Sequence, residues 1–129
     1  MEKNEFFIKK GEVKGIEVEG LVFKFRKVTA DDELNWLDEY KERKVEKDDE
    51  GKDKVVMKEN LAKLVKCKMR NIMEVPFSKE ELKEICGIDK EFSEYNDADK
   101  DALFGQINPR IMNQLILAID NSRSNQKKS

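Results

Sequence analysis

The chain of 129 residues contains no histidine, the side chain whose unperturbed pKa lies nearest neutrality and the commonest metal ligand and general base. Its absence excludes a Ser–His triad, a Cys–His pair and every histidine-containing metal site. Basic excess is missing too: 26 lysines and arginines face 28 acids, a formal charge of −2. Nucleic-acid binding usually shows itself as a basic surplus. Arginine is also scarce beside lysine, although bidentate recognition of phosphates and base edges favours arginine. A nucleic-acid partner is therefore not expected.

No apolar run approaches about 18 residues, and no signal peptide heads the chain. The expectation is a cytoplasmic protein that engages no membrane. Its two cysteines, Cys67 and Cys86, then read as reduced thiols, without a histidine base or a local cause for a depressed pKa. A disulfide between them requires Cα atoms within about 7 Å.

Recognisable chemistry is equally sparse. No glycine-rich phosphate loop, CxxC pair or paired-carboxylate motif occurs. Asp97-Ala98-Asp99-Lys100-Asp101 alternates carboxylates as calcium loops do. It lacks the glycine at loop position six and the glutamate at position twelve, where Asn108 stands, so it reads as a capping run. Asp48-Asp49-Glu50 reads as a solvated acidic loop. No catalytic, cofactor-binding or metal-ligating residue emerges, and the expectation is a non-enzyme.

What is present is charge, at 42%, against 38% hydrophobic residues. That balance implies a lean core and a salt-laced surface in one domain, residues 1–120, followed by a disordered polar tail, 121–129. Residues 6–28 read as strands. Ile16 and Val18 alternate with Glu17 and Glu19, then Leu21, Phe23 and Phe25 alternate with Val22, Lys24 and Arg26. Gly15 and Gly20 offer turns or bulges. The fold class follows: α+β, with a short N-terminal antiparallel β-hairpin or meander, strands confined to 5–28, and a mostly α-helical body.

Thr29 predicts an N-cap, with Asp32 three residues on as a short-armed capping box. The helix it opens carries Leu34, Leu37 and Tyr40 as its stripe, with Trp36 beside it, and ends near Arg43. Residues 44–54 are too polar to bury and read as a mobile loop around Gly51. A second helix is expected from Val56 to Met73, its stripe formed by Met57, Leu61, Leu64, Val65, Met69 and Ile72. Lys68 falls inside that stripe. It either snorkels or contacts a partner on a face left partly open.

Val75-Pro76 ends this helix. Ser78 with Glu81 opens another, which Gly87 stops. Ile88, Phe92 and Tyr95 imply a further helical turn or two. Asn96 or Asp97 caps a helix holding Leu103, Phe104 and Ile107, and Asn108-Pro109 opens the last one. Most aromatics should pack in the core. Trp36 and Tyr40, four apart on the first helix, are with Lys68 the candidate partner-binding residues.

Two stretches carry a resemblance. One runs from Val22 through Phe23, Lys24, Phe25, Arg26, Lys27, Val28, Thr29, Ala30, Asp31 and Asp32 to Glu33, followed by Trp36 and Leu37. The other runs from Leu64 to Ile72 and on to Val75-Pro76-Phe77. Over roughly residues 20–120 this layout resembles the tail assembly chaperones of tailed viruses of bacteria and archaea. The resemblance implies a short β element with a helical body and no catalytic site. It also implies protein partners, the helical tape-measure protein and the tail-tube subunits that polymerise around it. Other readings are a small virion connector and a host-directed inhibitor. Self-association is left open.

Overall fold

The computed structural model describes residues 6–124. Its elements are β1 (Val13–Val18), β2 (Leu21–Arg26), α1 (Ala30–Tyr40), β3 (Lys41–Lys47), β4 (Asp53–Glu59), α2 (Leu61–Met69), β5 (Ile72–Glu74), α3 (Lys79–Cys86), a 3₁₀ turn (Phe92–Glu94), α4 (Asp97–Phe104) and α5 (Pro109–Ser124). The fold is α+β and begins with an antiparallel hairpin.

That hairpin closes on two residues. Glu19 has φ 50° and Gly20 φ 85°, and Val18 pairs directly with Leu21. Two positive φ angles make the type I′ turn, whose twist matches the strands it joins. The alternation read from the sequence holds in β2, where Phe23 and Phe25 are buried while Val22 and Lys24 face out. The apolar run Phe6-Phe7-Ile8 precedes the first strand and does not extend it.

Strands are not confined to the N-terminus. β5 pairs antiparallel with β2 to give the order β1-β2-β5, with a register shift between Lys24 and Phe25. The expected second helix thus stops at Met69, and Ile72 becomes a buried strand residue beside Phe25. Arg26 N–H donates to the Asn71 carbonyl at 2.7 Å, and the Asn71 amide donates back to the Arg26 carbonyl at 3.2 Å. The free edge of β2 needs such a partner, and a three-residue strand is too short for periodicity to reveal.

The segment expected as a mobile loop is also structured. β3 and β4 form a regular hairpin from Lys41↔Glu59 to Lys47↔Asp53, which cuts α1 short of Arg43. Cross-strand ion pairs line it: Lys41–Glu59 at 2.8 Å, Lys47–Asp53 at 2.6 Å and Lys58–Glu46 at 2.6 Å. Opposite charges placed directly across a ladder each contribute a few tenths of a kcal/mol or more, about 0.2–1. At the tip, one Asp48 carboxylate oxygen accepts the N–H groups of Glu50 and Lys52, both at 2.9 Å, and Gly51 takes φ 80°. The base is closed by Asn60 N–H donating to the Tyr40 carbonyl at 2.7 Å.

Helix starts follow the sequence signals. Thr29 with Asp32, Ser78 with Glu81 and Asn96 with Asp99 all form reciprocal capping boxes, and Gly87 ends α3 in the left-handed conformation. Asn60 caps α2, whose start falls five residues later than expected. Between α3 and α4 only the single 3₁₀ turn forms. α5 reaches Ser124, so 121–124, expected to be disordered, are helical, and residues 125–129 lie outside the described residues. Among the described residues, no helix is long and apolar enough to cross a membrane.

One hydrophobic cluster joins the three-stranded sheet to all five helices, with Phe25, Ile72, Leu82, Leu115 and Ile119 at its centre. α1 enters it with the face opposite to expectation. Trp36 is 6% exposed, whereas Leu34 and Leu37 are 59% and 41% exposed. The cause lies one turn earlier. The Arg26 guanidinium donates twice to the Asp32 carboxylate, both at 2.8 Å. This fork turns Asp32 inward, and Trp36, four residues on, follows on the same face.

Candidate functional site

The most concave apolar feature lies where the β1–β2 turn meets the helical body. Val18, Leu21 and Phe23 form one side, Phe77 and Ile85 a second, and Phe104, Ile107 and Ile111 close it. The groove has a volume of about 360 Å³, within the range of ligand-binding clefts. Its floor is aromatic, with the Phe23 and Phe77 rings edge to face at 6.0 Å between centroids. Leu21 and Ile85 stand at the rim, 44% and 42% exposed. Of the lining residues only Glu19 and Gln106 are polar.

Local chemistry builds this wall. Glu19 holds a left-handed conformation that costs a non-glycine residue about 1–3 kcal/mol. Its carboxylate is gripped by the Arg110 fork, with Nη2 and Nε each at 3.0 Å, and by Gln114 at 3.4 Å. The turn is thereby tied to the first turns of α5, which sets the spacing between Leu21 and Ile111 across the opening.

A second cleft, of about 400 Å³, is polar and runs between α1, α2 and the start of α4. Arg70 donates Nε and Nη2 to Asp101 at 3.0 and 2.7 Å, and Nη1 to Glu39 at 3.0 Å. Cys67 donates its S–H to the same Glu39 oxygen at 3.3 Å. Burial first, and then that carboxylate, pushes the Cys67 thiol up to about 11. An activated nucleophile needs the opposite shift. At Asp32, burial acts to raise the carboxyl, but the hydrogen bonds from Arg26 and Thr29 outweigh it and hold it below the usual range. Both arginines are committed to carboxylates within the fold, so this cleft stabilises the α1–α2–α4 junction. Cys67 and Cys86 are both free thiols. Among the described residues, no group of three or more acids or cysteines is arranged to hold a metal ion.

The three residues singled out from the sequence are not brought together at the groove. Trp36 is buried, with the Arg123 guanidinium over its ring at 5.5 Å. Tyr40 is half-buried at the foot of the β3–β4 hairpin, with the Lys41 ammonium 5.6 Å from its ring centre. Lys68 is 9% exposed and pairs with Asp120 on α5 at 2.9 Å. Burial closes Trp36 and Lys68 to a docking partner in this conformation.

The groove residues were missed because each looks like ordinary core in one dimension. Phe77, directly after Val75-Pro76, carried the one available signal: an aromatic in an extended link, outside any helix stripe. No protein-family model, no curated protein and no solved structure matches this chain.

Proposed function

We propose that this chain is a non-enzymatic binding protein that captures an apolar, helical segment of a partner in the groove between the β1–β2 turn, α3, α4 and α5. The observation that carries the reading is the open groove itself, with the Phe23–Phe77 floor and the exposed rim residues Leu21 and Ile85. An amphipathic helix can lay its apolar face into such a groove, its anchors spaced at i, i+3, i+4 and i+7. Burial of that face supplies about 25 cal/mol per Å² of apolar surface removed from water, less the costs of association and ordering. Abundant surface charge keeps the free protein and its complex dispersed.

The resemblance to tail assembly chaperones gives this reading its biological form. The captured segment would belong to the tape-measure protein, held until tail-tube subunits polymerise around it. Co-expression with a tape-measure fragment, followed by affinity capture, tests the proposal. The wild-type chain is expected to retain the fragment, and Ile85→Lys, which sets a charge at the groove rim, is expected to release it. A virion connector would be found in purified particles at fixed stoichiometry, whereas a chaperone would be absent from them.

A further inference from the structure

The structure leaves a second apolar feature exposed, and it complements the first. Phe6 and Phe7 are 67% and 83% exposed, an unusual display for two adjacent phenylalanines. They are followed by Ile8, Lys9 and Lys10, and neither lysine pairs with an acid among the described residues. The groove is apolar, and its one charged lining residue is the acid Glu19. An aromatic arm with a basic flank thus matches an aromatic-floored groove with an acidic rim.

Arm and groove sit at opposite ends of the molecule. The arm lies near Val13 and near Asn121–Arg123 at the end of α5, while the groove is formed by the Val18–Leu21 turn and by Ile111 at the start of α5. β1 therefore separates them by about 16 Å at 3.3 Å per residue. The arm is fastened at its root. Glu12 N–H donates to the Lys9 carbonyl at 3.0 Å, Lys27 N–H donates to the Glu12 carbonyl at 2.9 Å, and Gly11 makes the turn at φ 77°. From Lys9 to Phe6 the chain reaches only about 10 Å even when fully extended. The arm cannot enter its own groove while those bonds hold.

We infer that the groove takes the Phe6-Phe7-Ile8 arm of a second copy of this chain. This rests on the groove being a binding site, as proposed above, and makes the arm a competing occupant that shields the groove until the partner arrives. Because donor and acceptor lie at opposite ends, the contact is head-to-tail and produces rings or open chains, not a closed two-fold dimer.

The test uses the full-length chain, a Phe6→Ser/Phe7→Ser double variant, Ile85→Lys, and a fluorescein-labelled peptide of residues 1–12. Both sites of substitution are exposed, and circular dichroism melts confirm folding before binding is read. Light scattering at rising concentration is expected to show association for the wild type and monomers for both variants. The peptide is expected to bind the double variant, whose groove is intact and empty, and to bind Ile85→Lys about tenfold or more weakly. An unlabelled amphipathic helical peptide is expected to displace it. A monomeric wild type with no peptide binding overturns the inference, as does association that survives in both variants. If the helical peptide binds and the arm peptide does not, the inference fails while the binding function stands. If the arm binds and the helical peptide does not displace it, the inference stands and the partner-capture reading fails.

Discussion

Lys68 on α2 and Asp120 on α5 meet at 2.9 Å, with the lysine side chain 11% exposed and the aspartate 35%. A lysine in the middle of an apolar stripe is thus resolved as a cross-helix ion pair. Asp120 also accepts from Arg123 at 3.2 Å, so the pair belongs to a small network that docks the end of α5 onto α2.

The role of this pair is tested by reversing one charge. Lys68→Glu should destabilise the fold by about 2–3 kcal/mol, the lower side of what breaking a buried pair costs, since Asp120 remains partly solvated. Lys68→Met should stay within about 1 kcal/mol of wild type. Urea unfolding reads both, and an unchanged midpoint for the glutamate variant would remove the pair from the account.

Trp36 and Leu37 make a sharper contrast. Trp36→Ala should cost about 3–5 kcal/mol as a core truncation, and Leu37→Ala should stay within about 0.5–1 kcal/mol. This reverses the order expected from the sequence. Equal losses for the two variants, or a larger loss for Leu37→Ala, would show that α1 docks with its other face.

Asp32 predicts an acid response. Its folded pKa is lowered from 3.8, so its contribution to stability is fully present above that value. It fades as pH falls below 3.8, because the unfolded chain binds the proton first. Asp32→Asn should flatten this part of the pH–stability curve and weaken both the cap and the Arg26 fork, costing about 1–3 kcal/mol at neutral pH. Chemical denaturation at a series of pH values measures the slope, and an unaltered slope in the variant would contradict the assignment.

The β3–β4 hairpin should be dispensable for folding. Its base is already closed between Tyr40 and Asn60 at 2.7 Å, and beyond its own ladder it meets the body chiefly through α1. Replacing residues 42–58 by a short glycine-containing turn should leave cooperative unfolding, with a change of about 1 kcal/mol, because the ion pairs lost are solvent-exposed. A non-cooperative melt would show that the hairpin is integral to the core.

Much of this fold was legible where local chemistry decides it. The three capping boxes, Gly87 and the β1–β2 alternation all depend on residues within a few positions of each other. What escaped depends on distant partners. β5 forms because β2 has an open edge, and the orientation of α1 is chosen by Arg26. The β3–β4 hairpin was hidden by composition: KVEKDDEGKDK looks like a solvated loop until its lysines are set opposite its acids. Lys100, read as part of a capping run, is buried and donates to the carbonyls of Arg70 and Ile72 at 2.9 and 2.8 Å. The groove was the least legible part, since its lining is spread from Val18 to Ile111 and only tertiary packing gathers it.

The central claim is that this groove captures an apolar helical segment, and affinity capture of a co-expressed tape-measure fragment measures it most directly. The account predicts that the wild-type chain retains the fragment, that Ile85→Lys loses it while melting at the wild-type temperature, and that Lys68→Met retains it. Failure of the wild-type chain to capture the fragment, or equal capture by wild type and Ile85→Lys, would contradict it.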